Sequence, residues 1–251
     1  MIEKNYELSV VTSLPYLGIY FIEELILNYR MEFVIIQINH ESMKTKLKKA
    51  ILNFIPDLYS KYYYKKNLDY KSIRNKDRTE YLEKLCKEKR IKLLYTYNIN
   101  NDEEVKNLIS VGTSQYTCVL GGRIISKEIL NLSKSVWING HGGVLPLYRG
   151  LCSEYWALAN KDYKNIGSTI HYLNEKIDYG DILNIRTIKY NKNKLLFMFE
   201  IENHLGLIKN YLFTIKNLIN GDINVISYDE NKSAYYSCPK KYIIKRFWKV
   251  H

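Results

Sequence analysis

Cysteine is scarce in this chain of 251 residues, and its four cysteines form no closely spaced pair. They are Cys86, Cys118, Cys152 and Cys238. A zinc site or a disulfide framework is normally indicated by Cys-x-x-Cys pairs or by a dense set of cysteines. The pattern therefore argues against both, and it favours reduced thiols in a cytoplasmic protein.

Long hydrophobic runs are also missing. The segment at 195–199, LLFMF, is far shorter than the roughly 20 residues that an apolar helix needs to span a bilayer. The first ten residues, MIEKNYELSV, carry Glu3 and Glu7 and contain no apolar run of the kind found in a signal peptide. We therefore expect a cytoplasmic protein without a membrane span.

Acidic residues are fewer than basic ones, with 26 against 38, and the net charge is +12. A basic balance favours anionic partners such as nucleic acid, a phosphorylated metabolite, a membrane surface or a polyglutamylated cofactor. Composition does not choose among these, and the abundance of Lys, Asn, Ile and Tyr is also typical of an AT-rich genome. With 46% apolar and 25% charged residues, the composition is that of a globular protein.

What the sequence does contain is an alternation of apolar strands and amphipathic helices. Strands are predicted at 7–13, 32–38, 90–97, 115–122, 135–140, 167–173 and 181–190. The first helix is indicated by Ile22, Leu25, Ile26 and Tyr29 at helical spacing, and a later one by Asn101 as a cap with Glu104 in capping-box position. Strands that alternate with helices predict an α/β fold, a Rossmann-like and mostly parallel sheet with helices on both faces.

The chain is predicted to divide into a catalytic domain at 1–190 and a C-terminal part at 191–251. The C-terminal part begins with a long helix that ends near Ile219, where Gly221 suits the cap, and it continues as a short aromatic and basic extension. A basic insertion at 43–78 carries an apolar stripe formed by Leu47, Ile51, Phe54, Ile55 and Leu58. The insertion is interpreted as a solvated surface that covers the sheet edge, with a charged flap near a phosphate-bearing substrate as the alternative.

The strand at 135–140 runs into the sequence INGHGGVLPLYRG at 138–150, which contains the first candidates for chemistry. Asn139 and His141 are two residues apart, so their side chains share one face of an extended segment. An amide N–H can donate to an oxygen on which negative charge develops, and a histidine can take a proton from an amine near neutral pH. With a nearby carboxylate, this trio suits acyl transfer.

The motif and two later segments closely resemble the formyltransferase family. The later segments are GSTIH at 167–171 and IDYGDI at 177–182. The resemblance covers about residues 90–190 and implies an enzyme that uses 10-formyltetrahydrofolate to formylate an amine. It implies that Asn139 holds the formyl oxygen, that His141 is the general base and that Asp178 orients the pair and a bound water. No metal site is expected, because the site would offer only one histidine and the chemistry needs no Lewis acid.

The resemblance also implies a folate pocket. The segment VLGGRIIS at 119–126 is similar to the family segment whose backbone binds the pterin ring, and the turn at 174–178 would close the other side of the pocket. The cofactor-binding candidates are Gly122, Arg123, Ile124, Ile125, Asn174 and Ile177. His171 is expected to be a packed, hydrogen-bonded residue, and His204 has no neighbours in sequence that suggest chemistry.

Three acceptors come into question within the family. The turn TSLPYLG at 12–18 has only Gly18, which argues against the glycine-rich phosphate loop of the glycinamide ribonucleotide enzymes. About sixty residues after Tyr190 leave little room for the OB-like domain of the methionyl-tRNA enzymes, although the charge keeps tRNA open as an unfavoured partner. The favoured acceptor is a nucleotide-linked amino sugar for polysaccharide biosynthesis.

The C-terminal extension has two interpretations. Its aromatic residues would stack on a nucleotide base, or they would form a packed clasp or the surface of a homodimer. These aromatic residues are Tyr235, Tyr236, Tyr242, Phe247 and Trp248, and lysines that would meet phosphates are Lys240, Lys241 and Lys245. Gly142 and Gly143, where many relatives carry Pro-Ser or Gly-Ser, are expected to widen the acceptor side of the pocket. A hydrolase acting on the same folate and a non-catalytic binding protein are the alternatives from other functional classes.

Overall fold

The computed structural model of this protein describes residues 7–13, 17–38, 55–56, 58–59, 62–63 and 78–240. Residues 14–16 of the first turn, most of the basic insertion and residues 241–251 lie outside the described residues, and the predictions made for them stay predictions. Within the insertion, Ile55 and Leu58 are 57% and 52% exposed. These two residues of the predicted apolar stripe are thus exposed, whereas Tyr59 and Tyr63 are described residues of the insertion that pack against the core. The other residues of the stripe lie outside the described residues, and the interpretation of the insertion stays a prediction.

Seven strands form one sheet in the order β3-β2-β1-β4-β5-β7-β8. They are β1 (Glu7–Thr12), β2 (Arg30–Gln37), β3 (Lys92–Thr96), β4 (Tyr116–Leu120), β5 (Val136–His141), β7 (Gly167–Tyr172) and β8 (Ile182–Thr187). Strands β3, β2, β1, β4 and β5 pair in parallel. Strand β7 pairs antiparallel with β5, and β8 pairs antiparallel with β7. Two short strands, β6 (Arg149–Gly150) and β9 (Tyr235–Tyr236), pair separately.

Six helices connect and cover the strands of the described chain. They are α1 (Leu17–Asn28), α2 (Arg78–Glu88), α3 (Glu103–Val111), α4 (Lys127–Leu132), α5 (Ser153–Ala159) and α6 (Leu196–Ile219). The predicted Rossmann-like architecture with helices on both faces is confirmed. The division near residue 190 stays a prediction, and α6 after it packs on the same sheet as the residues before it.

Helices cover both faces of the sheet, so its strands carry apolar residues that do not alternate with polar ones. In β1, Val10 belongs to the core beneath α1 and α6, whereas Val11 belongs to the core beneath α3 and α4. In β5, Ile138 and Trp137 divide between the same two cores. The sheet is therefore packed on both faces, and this packing supports the residues at its strand ends.

The predicted cap of α3 was wrong by one residue. The carboxylate of Asp102 accepts hydrogen bonds from the backbone N–H groups of Glu104 and Val105 at 3.1 and 3.2 Å. Asn101 instead donates its backbone N–H to the carbonyl of Asn98. An aspartate serves as well as an asparagine at this position and adds a charge that favours the helix N-terminus. At the end of α6, Gly221 has the predicted left-handed conformation, with φ of 70°.

Helix α6 reaches into the centre of the sheet through Tyr211, which is fully buried. Its hydroxyl accepts the backbone N–H of Val119 in β4 at 3.1 Å and donates to the carbonyl of Ile138 in β5 at 2.6 Å. A Cβ added to Gly140 would lie 2.8 Å from the Tyr211 ring. Gly140 is therefore a glycine because the ring packs directly against its backbone, one residue from Asn139 and from His141.

Candidate functional site

A cavity of about 470 Å³ opens at the carboxyl ends of β4 and β5. This is the edge of an open α/β sheet at which ligands bind, and the volume suits a small organic molecule. All nine residues selected from the sequence line it. They are Asn139, His141, Asp178, Gly122, Arg123, Ile124, Ile125, Asn174 and Ile177. The fold thus brings the two halves of the sequence-based prediction into one site.

His141 is buried, with 8% of its surface exposed, and its ring is held by a backbone carbonyl. Its Nε2 lies 2.8 Å from the carbonyl oxygen of Tyr148. Since a carbonyl only accepts, Nε2 carries the hydrogen and donates it. The lone pair of the neutral ring is then on Nδ1, which lies 3.5 Å from Oδ1 of Asp178. The geometry makes Nδ1 the nitrogen that can take up a proton, with a carboxylate beside it to balance the resulting charge.

Asp178 is held in place by the Arg-Gly pair at the end of the 138–150 motif. The backbone N–H of Gly150 donates to Oδ2 of Asp178 at 2.9 Å. The Arg149 guanidinium donates to the carbonyl of Ile177 at 2.7 and 3.1 Å and to Oγ of Ser233 at 3.1 Å. The loop before β8 is therefore tied to the loop after β5, which explains why an arginine and a glycine follow the motif.

The amide of Asn139 contacts His171, which lies directly opposite it on β7. Nδ2 of Asn139 is 3.1 Å from Nε2 of His171, and Nδ1 of His171 is 2.8 Å from the carbonyl of Tyr172. The carbonyl requires the hydrogen on Nδ1, so Nε2 accepts from the Asn139 amide. Burial lowers the pKa of His171 to about 4, because a charged imidazole would lose its hydration there. The nearby His141 also lowers this pKa, whereas the Asp178 carboxylate raises it. His171 is thus packed and hydrogen-bonded, as expected from the sequence.

Residues 121–125 also line the cavity. Oε1 of Gln37, at the end of β2, accepts the N–H of Arg123 at 2.6 Å, and the Arg123 guanidinium donates to the carbonyl of Tyr97 at 3.0 Å. Ile124 is 64% exposed, whereas Ile125 is buried. This segment offers backbone groups and an apolar side chain at the cavity, which suits a flat heterocycle that has both polar edges and apolar faces.

The turn that contains Asn174 lines the same cavity. Oδ1 of Asn174 accepts the N–H of Lys176 at 2.9 Å, and its Nδ2 donates to the carbonyl of Tyr179. The amide of Asn174 therefore shapes the turn through its own hydrogen bonds. Ile177, 40% exposed, lies in the same turn and presents an apolar surface at the cavity.

Several lining residues escaped the sequence analysis because helices bring them in from elsewhere in the chain. Glu154 in α5 and His204 in α6 line the cavity, so His204, which has no neighbours in sequence that suggest chemistry, lies among the candidate site residues in the fold. Glu154 is buried, and its Oε1 accepts from Nδ2 of Asn203 at 2.8 Å. The only sequence signal for them is a polar residue on the apolar face of an amphipathic helix.

The two glycines after His141 have different surroundings. Gly142 lines the cavity, and a Cβ there would lie 3.5 Å from Oε1 of Glu154, an ordinary contact. A Cβ at Gly143 would lie 2.4 Å from the carbonyl oxygen of Tyr148, which is the acceptor for His141. Gly142 thus lies at the cavity, where the expected widening stays a prediction, whereas Gly143 lets the backbone approach closely enough to hold His141.

The aromatic residues of the extension behave in two ways. Tyr236 stacks between Tyr148 and Trp156, with ring centroids at 5.6 and 5.0 Å, and so forms part of a packed clasp. Tyr235 is 56% exposed and lines the cavity. Within the described ranges, no group of three or more His, Cys, Asp or Glu side chains has a metal-binding arrangement. Nor is any helix in those ranges both long and apolar enough to cross a membrane.

Known proteins are similar to this chain in sequence and in fold. The sequence pattern of the family described as Formyl transferase matches residues 63–193. A methionyl-tRNA formyltransferase of Halothermothrix orenii is 35% identical over 102 residues, which make up 41% of this chain and 32% of that protein. The chain thus matches about a third of that relative's length.

Solved structures with the same fold cover nearly the whole chain. A 4-N formyltransferase from Francisella tularensis has a TM-score of 0.60 at 15% identity and covers 98% of this chain and 87% of its own. An N-formyltransferase from Helicobacter canadensis in complex with folinic acid and dTDP-3-aminofucose has a TM-score of 0.60 at 15% identity, over 98% of this chain and 80% of its own. At these identities the likeness concerns the fold.

Proposed function

The chain belongs to the formyl transferase family, and we propose from this premise that it transfers a formyl group from 10-formyltetrahydrofolate to the amine of a nucleotide-linked amino sugar. One observation carries the proposal. Asn139 and His141 line one cavity at the end of β5, with the carboxylate of Asp178 3.5 Å from Nδ1 of His141. A hydrogen-bond donor, a proton acceptor and a fixed negative charge are the groups that acyl transfer to an amine requires.

The backbone of residues 121–125 and the turn containing Asn174 are proposed to bind the folate between them. When bound, 10-formyltetrahydrofolate supplies an electrophilic formyl carbon. Val119, Ile125 and Leu173 offer apolar surface for a ring, and the backbone between them offers polar groups for its edges. A Cβ at Gly122 would lie 3.0 Å from Cγ1 of Val119, so a glycine there keeps this part of the cavity open.

Asn139 is proposed to hold the formyl oxygen. One N–H of its amide is used by His171, and no described residue accepts the second, which leaves that hydrogen for a ligand at the cavity. As the amine attacks, negative charge develops on the formyl oxygen, and a donor that is already oriented stabilises it without reorganisation. Removal of such a donor typically costs a factor of about 10² to 10³ in kcat.

His141 is proposed to take the proton that the amine loses. The acceptor must arrive as the neutral amine, and Nδ1 carries the lone pair that receives its proton. The charged ring then lies beside the Asp178 carboxylate in a mostly buried setting, where the attraction is stronger than in water. The same proton can be returned to the folate nitrogen as the bond between it and the formyl carbon breaks.

The choice of an amino sugar is supported by the fold and by the chain after residue 190. Described residues 191–240 form α6, which packs on the catalytic sheet, a short 3₁₀ turn, and β9, which pairs with β6. The solved relatives that cover 98% of the chain include sugar N-formyltransferases. Tyr235 presents an exposed ring at the cavity, which suits stacking against a nucleotide base.

Methionyl-tRNA is the second candidate acceptor. The observation that favours it is the 35% identity to a methionyl-tRNA formyltransferase, together with the net charge of +12. Since that match covers 32% of the relative, it says little about the acceptor of this chain.

The proposal is tested with a panel of nucleotide-linked amino sugars and with methionyl-tRNA, each incubated with 10-formyltetrahydrofolate. Mass spectrometry reports which acceptor gains a formyl group. Formylation of a sugar supports the proposal, and formylation of methionyl-tRNA alone replaces it with the second candidate. Release of formate with no modified acceptor in the panel would assign a hydrolase instead.

A further inference from the structure

Two cysteines that are 86 positions apart in the chain meet at the rim of the cavity. Sγ of Cys152 lies 2.9 Å from Sγ of Cys238, and both residues are in the thiol form. A disulfide bond is about 2.05 Å long, so the sulfur atoms are less than about 1 Å from bonding distance. No sequence pattern indicates this pair, because neither cysteine has another close to it in the chain.

The backbone on either side of the pair is anchored. Cys152 immediately precedes α5, and Trp156 in that helix donates its Nε1–H to the carbonyl of Ser237 at 2.9 Å. Tyr236 stacks on Trp156, and β9 pairs with β6. These contacts hold Ser237, the neighbour of Cys238, against the helix that follows Cys152. The proximity of the two sulfurs is therefore a consequence of the packing around them.

The other two thiols have a different environment. Cys86 and Cys118 are 1% and 0% exposed, and burial raises their pKa to about 11 and about 12. Reaction of a thiol requires its thiolate and access of the reagent, so these two are chemically inert in the folded protein. Cys238 is exposed, and Cys152 is partly exposed at the cavity.

We propose that Cys152 and Cys238 form a reversible modification site, a dithiol that a low-molecular-weight disulfide oxidises to an intramolecular disulfide. The exposed Cys238 thiolate attacks one sulfur of the reagent and releases one thiolate, which gives a mixed disulfide. The Cys152 thiolate then attacks the Cys238 sulfur, forms the Cys152–Cys238 bond and expels the second thiolate. The two protons pass to the two released thiolates, and the reagent is reduced by two electrons.

The bond would fix the C-terminal extension to the cavity rim. Tyr235 and Cys152 both line the cavity, and the disulfide would join the segment that contains Tyr235 to the loop that contains Cys152. Because a cross-link over a long stretch of chain restricts the unfolded state, the oxidised protein is expected to have a Tm at least about 5 °C higher. This inference does not rest on formyl transfer.

The test uses the full chain and glutathione disulfide. After incubation, remaining thiols are alkylated, and intact-mass and peptide mass spectrometry identify the products. Wild type is expected to lose two hydrogens and give a Cys152–Cys238 cross-linked peptide that dithiothreitol reverses. In the matched variant Cys152→Ser, the second step is blocked, so one glutathione should remain attached to Cys238.

Two results would overturn the proposal. One is wild type that carries separate glutathione adducts on Cys152 and Cys238 instead of the cross-link. The other is wild type whose four thiols all stay alkylatable under conditions in which Cys152→Ser takes up glutathione. A Cys152→Ser protein that resists glutathione while the wild type is cross-linked would overturn the proposed order of attack.

Discussion

The side-chain amide of Asn139 donates to Nε2 of His171 across 3.1 Å, and this contact determines which way the amide faces. An asparagine amide can be placed in two orientations that differ only by exchange of oxygen and nitrogen. The tautomer of His171, set by its contact with the Tyr172 carbonyl, selects the orientation with Nδ2 toward the histidine. The amide is thereby ready to donate to a ligand before the ligand arrives.

This arrangement predicts a pH dependence of stability. The pKa of His171 is lowered by burial from 6.5 to about 4 in the folded protein, so between these values the unfolded chain binds more protons. The free energy of unfolding should therefore fall as the pH drops from about 6.5 to about 4, by roughly 3 kcal/mol from this group. Urea denaturation across this pH range measures the effect in wild type.

The control for this prediction is His171→Gln, which keeps an acceptor for Asn139 but cannot take up a proton in this range. Its stability should depend less on pH between about 6.5 and about 4 than that of wild type. Equal slopes in the two proteins would show that His171 does not carry the effect.

Asp178→Asn should lower kcat by about 10² or more while the protein still binds folate, because the charged His141 ring loses the carboxylate that lies 3.5 Å away. The backbone bond from Gly150 to the side chain can persist with the amide oxygen. Asp222→Asn, at an exposed position after α6, is the matched control and should have wild-type kinetics. Near-normal turnover of Asp178→Asn would remove Asp178 from the mechanism.

Tyr211→Phe tests the role of α6 beneath the site. The change leaves the N–H of Val119 and the carbonyl of Ile138 without the hydroxyl that joins them, and it should lower the free energy of unfolding by roughly 1–3 kcal/mol. Since Ile138 precedes Asn139, kcat should also fall. Tyr95→Phe, whose hydroxyl contacts an exposed glutamate, should change stability by no more than about 0.5 kcal/mol. Equal stabilities of the two variants would contradict the assignment.

Gly140→Ala should destabilise the protein by about 1–3 kcal/mol, because the new methyl group would lie 2.8 Å from the Tyr211 ring. The matched control is Gly206→Ala in α6, where the nearest atom would be 3.7 Å away. That change should be neutral or stabilise by up to roughly 1 kcal/mol, since alanine is the better helix former. Thermal melts of both variants check the contrast, and a Gly140→Ala protein as stable as wild type would refute the packing argument.

The elements around the site were predictable from the sequence because they follow from local rules. Asn139 and His141 share a face by the two-residue period of a strand, and the alternation of strands and helices places that strand's end at a ligand-binding edge. The family resemblance supplied Asp178 and the segment at 119–126. The sequence could not indicate that the Tyr148 carbonyl holds His141, because a backbone group has no residue-type signal.

Contacts between distant parts of the chain were not predictable. Glu154 and His204 reach the site from helices, and Tyr211 packs beneath it from α6. Which helical residues face a cavity depends on the packing of the whole domain. The contact between Cys152 and Cys238 was equally unpredictable, because it depends on the pairing of β9 with the distant strand β6. The cap of α3 was missed for a local reason, because Asn101 and Asp102 are adjacent and both are good capping residues.

The most direct test of the central claim is to incubate wild type and His141→Ala with 10-formyltetrahydrofolate that carries a ¹³C-labelled formyl group, together with the amino-sugar panel. Mass spectrometry then follows the label. The account predicts that wild type alone transfers the labelled formyl group to an amine of one nucleotide-linked sugar, while both proteins bind folate. Labelled product formed at the same rate by His141→Ala would contradict the account.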